Sequence, residues 1–122
     1  MANFRPGYLE QGNPLGMTTL DVSLVADNTV IDVSGTANTP AYGLVKITSD
    51  NTTATNRTFT LTNGGPLGQM IVLTLVSAAS TTADLQDTGN VALSAAWQPL
   101  QNDTLTLVWQ GSTWIELARA DN

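Results

Sequence analysis

The sequence predicts an all-β chain, an antiparallel β-sandwich or jelly-roll-like barrel of about eight or nine short strands with an extended N-terminal arm. Short runs rich in β-branched residues recur along it, clusters of turn-forming residues separate them, and no window carries an apolar stripe at helical period. Regularly spaced short strands with turns between them are the pattern of a sandwich or closed barrel.

Residues 1–17 hold Pro6, Gly7, Gly12, Pro14 and Gly16 with Phe4, Tyr8, Leu9 and Leu15 between them. Proline removes backbone donors and glycine weakens regular structure, so neither a helix nor a central strand is expected there. A plain solvated linker would be polar throughout. The aromatic and leucine side chains instead fit an arm that docks on something apolar, the alternative being a frayed or locally packed terminus.

From residue 18 to 122 one domain is expected. Thr19 to Leu24 alternates, with Leu20, Val22 and Leu24 on one face. Thr29 to Val33, Gly43 to Thr48 and Thr58 to Thr62 follow as β-branched runs, punctuated by Ala26-Asp27-Asn28, Ser34-Gly35-Thr36, Asn38-Thr39-Pro40 and Ser49-Asp50-Asn51. Asn63-Gly64-Gly65-Pro66 precedes a run from Gln69 to Ser77. A shorter pair, Thr82 to Leu85 and Val91 to Ser94, is joined across Asp87-Thr88-Gly89-Asn90. The alanines between 78 and 96 do not form a helix, because Ser80-Thr81-Thr82 and Gly89-Asn90 interrupt them.

The last two runs, Thr104 to Gln110 and Thr113 to Arg119, read as a closing hairpin. A two-residue turn at Gly111-Ser112 would set Trp109 opposite Trp114 and turn Ile115 and Leu117 away from the face of Leu105 and Leu107. An odd-length loop with a bulge beside Gly111 would put Leu105, Leu107, Trp109, Ile115 and Leu117 on one inward face. The odd-length loop is therefore expected, with Trp114 facing outward as a subunit contact.

Composition narrows the chemistry. The 122 residues include no cysteine and no histidine, which removes disulfides, thiolate metal sites, the commonest general base and the commonest metal ligand. Four cations, Arg5, Lys46, Arg57 and Arg119, stand against ten carboxylates for a net charge of −6. Such a balance offers no basic footprint for phosphate, so no nucleic-acid partner is expected. The start of the chain lacks a charged region followed by an apolar run, and stretches such as Met70 to Val76 are too short to span a bilayer. A soluble, cytoplasmically made chain with no membrane partner is expected.

No catalytic constellation is visible, so the chain is expected not to be an enzyme, with no cofactor and no metal. Asn63-Gly64-Gly65-Pro66-Leu67-Gly68 is glycine-rich, but its proline lacks a phosphate-binding N–H and no helix follows. Asp84 with Asp87, and Asp27 with Asp32, flank turns, where carboxylates are ordinarily caps. Of the three tryptophans, Trp109 reads as core by alternation, and Trp97 lies in a loop before Pro99.

The second half also carries a recognisable pattern. Gly68-Gln69 opens a strand, Asn90 precedes the short apolar Val91-Ala92-Leu93, and the chain closes on Asp103-Thr104-Leu105-Thr106-Leu107-Val108-Trp109-Gln110-Gly111-Ser112-Thr113-Trp114-Ile115-Glu116-Leu117-Ala118-Arg119. Over about residues 58–119 this resembles a β-module of tailed-phage proteins, found in capsid decoration (cement) proteins and at the ends of tail fibres and tailspikes. The resemblance implies a jelly-roll-like fold, a homotrimer, a place in the virion after assembly in the host cytoplasm, and no catalytic residues. The chain begins with its own Met, with no room for a shaft or a repeat, which favours decoration. The implied partner is the major capsid protein, met through arm residues Phe4, Arg5, Tyr8, Leu9 and Leu15, with Trp114 between subunits. The alternative is a receptor- or glycan-binding knob of a phage tail or fibre, using Trp97 and the loops near Asp84 and Asp87.

Overall fold

Alternation along a strand decides which side chains face inward but not which strand lies beside it, and that second question is where the structure departs from expectation. The computed structural model describes residues 18–35, 42–49, 56–77 and 83–122. The arm, with Phe4, Arg5, Tyr8, Leu9 and Leu15, lies outside the described residues.

Among the described residues, nine strands fall on the nine runs marked out by the sequence. They are β1 (Thr18–Leu24), β2 (Thr29–Ile31), β3 (Tyr42–Ser49), β4 (Arg57–Leu61), β5 (Met70–Ser77), β6 (Ala83–Asp84), β7 (Val91–Ala92), β8 (Thr104–Trp109) and β9 (Trp114–Ala120). The chain is all-β, with two sheets ordered β1-β3-β5-β8-β9-β7 and β2-β4-β6.

The pairing is mixed rather than antiparallel. Among the described residues, the β1–β3, β3–β5, β2–β4, β4–β6 and β7–β9 ladders are parallel, and β5–β8 and β8–β9 run antiparallel. From β1 to β6 the chain steps from one sheet to the other and back, and each strand lies beside the strand two earlier. Thr18 leads to Tyr42 after 24 residues and Tyr42 to Met70 after 28, while Thr29 leads to Arg57 after 28 and Arg57 to Ala83 after 26. That is a solenoid-like winding of about three coils, not a jelly-roll barrel, and the chain does have room for a structural repeat. The antiparallel β8–β9 hairpin then continues the larger sheet beyond β5.

Between the sheets lies one apolar core. Val45, Ile47, Ile71, Leu73, Leu75, Leu105 and Leu107 enter from the larger sheet, and Ile31, Phe59, Leu61 and Ala83 from the smaller. Each fully buried aliphatic side chain contributes roughly 1.5–3 kcal/mol relative to exposure. The core continues past the last coil through Leu85, Leu93 and Trp97, where Leu85 and Trp97 exchange both backbone hydrogen bonds at 3.0 and 2.9 Å.

The closing hairpin takes the register that was expected not to occur. Gln110 N–H donates to Thr113 O at 3.1 Å, leaving a two-residue Gly111–Ser112 turn with Gly111 at φ +109°. A glycine with positive φ at the first turn position matches the strand twist. Trp109 and Trp114 stand directly opposite, with ring centroids 5.3 Å apart. Trp114 is therefore fully buried, not outward, while Ile115 turns to the outer side and Leu117 is 53 % exposed. Burying the indole removes a larger apolar area from water than burying Ile115 would. Its Nε1–H also donates to Thr62 O at 2.9 Å. The inward placement of Leu105 and Leu107 and the positive φ of Gly111 agree with the sequence reading.

Gly64 shows how tightly this end is packed. An added Cβ there would run into the Trp109 side chain. Gly64→Ala is expected to cost about 1–3 kcal/mol through overpacking. The check is a melting curve; an unchanged midpoint would show that the Trp109 ring can swing aside.

Candidate functional site

Polar residues of the pattern in the second half are the first candidates for a site, and the structure gives each a place in the winding. Gln69 is buried just before β5. Its Nε2 donates to Val33 O at 2.8 Å and Tyr42 O at 2.9 Å, and its Oε1 accepts from Gly65 N–H at 2.8 Å. One amide thus joins the segment between β2 and β3 to the segment between β4 and β5. Gly68, at φ +84°, turns the chain into this position, and its N–H donates to Trp109 O.

Asn90 performs the same task one coil further on. Its Nδ2 donates to Leu61 O at 3.0 Å and Asn63 Oδ1 at 3.1 Å, and its carbonyl accepts from Trp114 N–H at 2.7 Å. The pattern residue before the short apolar strand therefore ties β4, β7 and β9 together.

Trp114, Glu116 and Arg119 are separated by two and then three residues, which no uniform strand would place on one side. The pairing explains it. Thr106 faces Ala118 and Leu107 faces Glu116, so Leu117 is an extra, unopposed residue, a β-bulge. All three side chains consequently share the side of Leu105 and Leu107. Glu116 Oε1 accepts from Ser94 N–H at 2.8 Å and Ser94 Oγ–H at 3.1 Å. Arg119 closes on Glu116 through Nε at 2.7 Å and Nη2 at 2.9 Å, and Nη2 also reaches Ala95 O at 2.8 Å. The pair clamps the segment leading to Trp97. The sequence suggested a bulge in this hairpin but set it beside Gly111; the two-plus-three spacing was the signal for its true position.

Hydrogen bonding from Arg119 holds the Glu116 carboxyl far below the usual range, at about 2, against an opposing push from burial. The same hydrogen bond raises Arg119. A carboxylate depressed in the folded state contributes stability that is complete above its unfolded value near 4.5 and is lost as pH falls toward 2. Glu116→Gln is therefore expected to lower the melting temperature at pH 7 and to flatten its acid dependence between pH 4.5 and 2. Parallel acid limbs for the two proteins would show that the clamp does not govern this window.

The other singled-out carboxylates are also tied. Asp84 accepts from Gln86 Nε2 and Gln98 Nε2, and Asp87 Oδ1 accepts from Leu93 N–H at 2.8 Å. Asp32 is lowered mainly by the Ser34 hydroxyl, which donates to it at 2.8 Å, and also by the Ser34 N–H. Trp97 is 3 % exposed and has no open face for a ring to stack on. The described cations each lie beside a carboxylate, Lys46 at 3.8 Å from Asp21, Arg57 at 3.7 Å from Asp27 and Arg119 on Glu116.

Concavities open at two places among the described residues. One, of about 200 Å³, lies between β4 and the segment before β7, rimmed by Asn28, Thr58, Thr60, Gln86, Thr88 and Asn90. The other, about 320 Å³, opens at the first coil among Leu20, Val22, Val30, Ile31 and Tyr42. No group of three or more potential metal-ligating side chains gathers among the described residues. The structure thus brings Gln69, Asn90, Trp114, Glu116 and Arg119 into the framework and assembles no reactive cluster from Asp84, Asp87 and Trp97. Comparison with known proteins finds no family model that matches the chain and no curated relative.

Proposed function

We propose that this chain is a structural protein of a tailed-phage head, a decoration protein that binds the outer capsid surface as a trimer and stabilises the shell. The observation that carries the reading is the fate of the pattern residues. Gln69, Asn90, Trp114, Glu116 and Arg119, which carry the resemblance to the phage module, are all committed to holding successive coils together. What such a fold offers a partner is surface, not reactive groups.

In this reading the partner is the major capsid protein, with the arm (Phe4, Arg5, Tyr8, Leu9 and Leu15) supplying contacts. Three weak contacts on one rigid trimer give avidity beyond any single contact. Trp114, being fully buried within its own chain, has no part in the subunit interface. The protein acts without catalysis, cofactor, nucleic acid or membrane, and resides on the virion.

Co-sedimentation of the purified protein with capsids lacking it tests the proposal. Saturable binding at hundreds of copies per particle, with raised capsid heat resistance, is the expected result. A handful of copies located at the tail would replace decoration with a receptor-binding role, and failure to bind capsids would remove the proposal.

A further inference from the structure

A strand covered on both faces reads as a nearly continuous apolar run, whereas a strand with one face in water alternates with polar residues. β5 is of the first kind, since Thr74 is the one polar residue between Met70 and Val76. Ile71, Leu73 and Leu75 enter the core between the sheets, which leaves Met70, Val72 and Val76 on the outer side of the larger sheet. Neighbouring strands extend that side. Met70 lies opposite Val108 and Val108 opposite Ile115, while Val72 lies between Leu44 and Thr106. Met70 and Leu117 are each about half exposed.

The outer side of β5, β8 and β9 carries no charge. Glu116 and Arg119 are the charged residues of these three strands, and both are turned inward to hold Ser94 and Ala95. On β3 the outward charge is Lys46, 3.8 Å from Asp21 of β1. Charge thus returns only toward the edge of the face.

We infer that this outer face is a contact between copies of this chain, with Val72, Thr106 and Val108 at its centre and Lys46 and Asp21 at its rim. Charge argues for a copy as the occupant. Chains of net charge −6 repel one another, so they meet at least cost where each presents no carboxylate. A centre depleted of charge inside a polar rim is also how interfaces are ordinarily built. Two sheets of the same twist pack face to face, so one surface can supply both sides of the contact.

The area is sufficient. From β3 to β9 the face is four strands wide, ~19 Å at ~4.8 Å per strand, and the eight residues of β5 make it ~26 Å long. In flat projection that is ~500 Å² on each copy, so joining copies removes ~1,000 Å² or more from water, about what a specific interface needs. The contact gives the proposed trimer the surface that the buried Trp114 does not supply. It rests on the proposed function for the number of copies alone, and capsid binding does not enter it.

Sedimentation of the full chain without capsids is the first test. An oligomer is expected at micromolar concentration; a monomer would overturn the inference, while capsid binding is measured separately and can fail without touching it. Val72→Lys combined with Val108→Lys should weaken association by roughly a hundredfold or more, because unpaired charges would be buried at the centre of the contact. In the separated chain both lysines can reach water along their stems, so the fold should survive. Association as tight as the parent's would overturn the inference. A thiol probe decides the matter even where the lysine variant fails to fold. The chain has no cysteine, and Leu117 and Val30, on different sheets, are 53 % and 63 % exposed. At a concentration about ten times the dissociation constant, Leu117→Cys should react with a maleimide several-fold to about tenfold more slowly than Val30→Cys, and at a similar rate after dilution to monomer. Equal rates in the oligomer would overturn the inference. So would protection that persists in the monomer, which would show that the chain's own residues cover the face.

Discussion

Trp114→Ala is expected to destabilise the domain by about 3–5 kcal/mol, the range for truncating a buried aromatic side chain. Trp114 has no exposed surface, stacks at a tilt against Trp109, and donates its Nε1–H to Thr62 O. Truncation opens a cavity between β9 and the turn after β4 and leaves that carbonyl unpaired. Against a total of ~5–15 kcal/mol for a typical domain this is a large share. At roughly 4 °C per kcal/mol, the melting midpoint should fall by about 12–20 °C. Trp114→Phe separates the two contributions, since it keeps most of the ring packing and removes the donor. A midpoint within 2–3 °C of the parent for Trp114→Ala would mean that the indole lies outside the core, contrary to the register of the closing hairpin.

Gln69→Leu is expected to cost about 3 kcal/mol although leucine is similar in size and more apolar. The amide satisfies Val33 O, Tyr42 O and Gly65 N–H, and leucine can satisfy none of them. Each buried backbone group left unpaired costs about 1–3 kcal/mol, partly relieved where water enters. Because the three partners belong to two coils, the loss should appear as uneven loosening. Amide exchange is expected to accelerate around residues 33, 42 and 65 before β8 is affected. Gln69→Glu tests the donor specifically, since a carboxylate retains the acceptor for Gly65 but repels the two carbonyls. A Gln69→Leu protein as stable as the parent would show that burial at this position outweighs the hydrogen bonds.

Much of the fold was legible in the sequence. Thr19 to Leu24 and Leu105 to Trp109 alternate so plainly that their inward faces follow from period alone, and turn residues mark nearly every strand end. The lack of any helical stripe determined the all-β class. The candidate site was less legible. Gln69, Asn90, Glu116 and Arg119 stood out as a pattern, yet their tasks depend on partners 20 to 40 residues away, such as Val33 for Gln69 and Leu61 for Asn90.

Two matters were decided only by tertiary structure. Strand neighbours were one: a period of two determines faces but is the same for parallel and antiparallel ladders, so alternation alone does not choose between them. The closing hairpin was the other. Locally, Ile115 and Leu117 match Leu105 and Leu107 as an inward set, and a local reading accordingly turned Trp114 outward. In the folded chain, the Thr62 carbonyl, the Trp109 ring and Ser94 meet the side of β9 that carries Trp114 and Glu116. Burying an indole with its N–H satisfied, and pairing Glu116 with both Ser94 and Arg119, outweighs the burial of two aliphatic side chains. A bulge at Leu117 then brings Arg119 to the same side, and that balance becomes visible only when the residues following β4 and β7 meet β9.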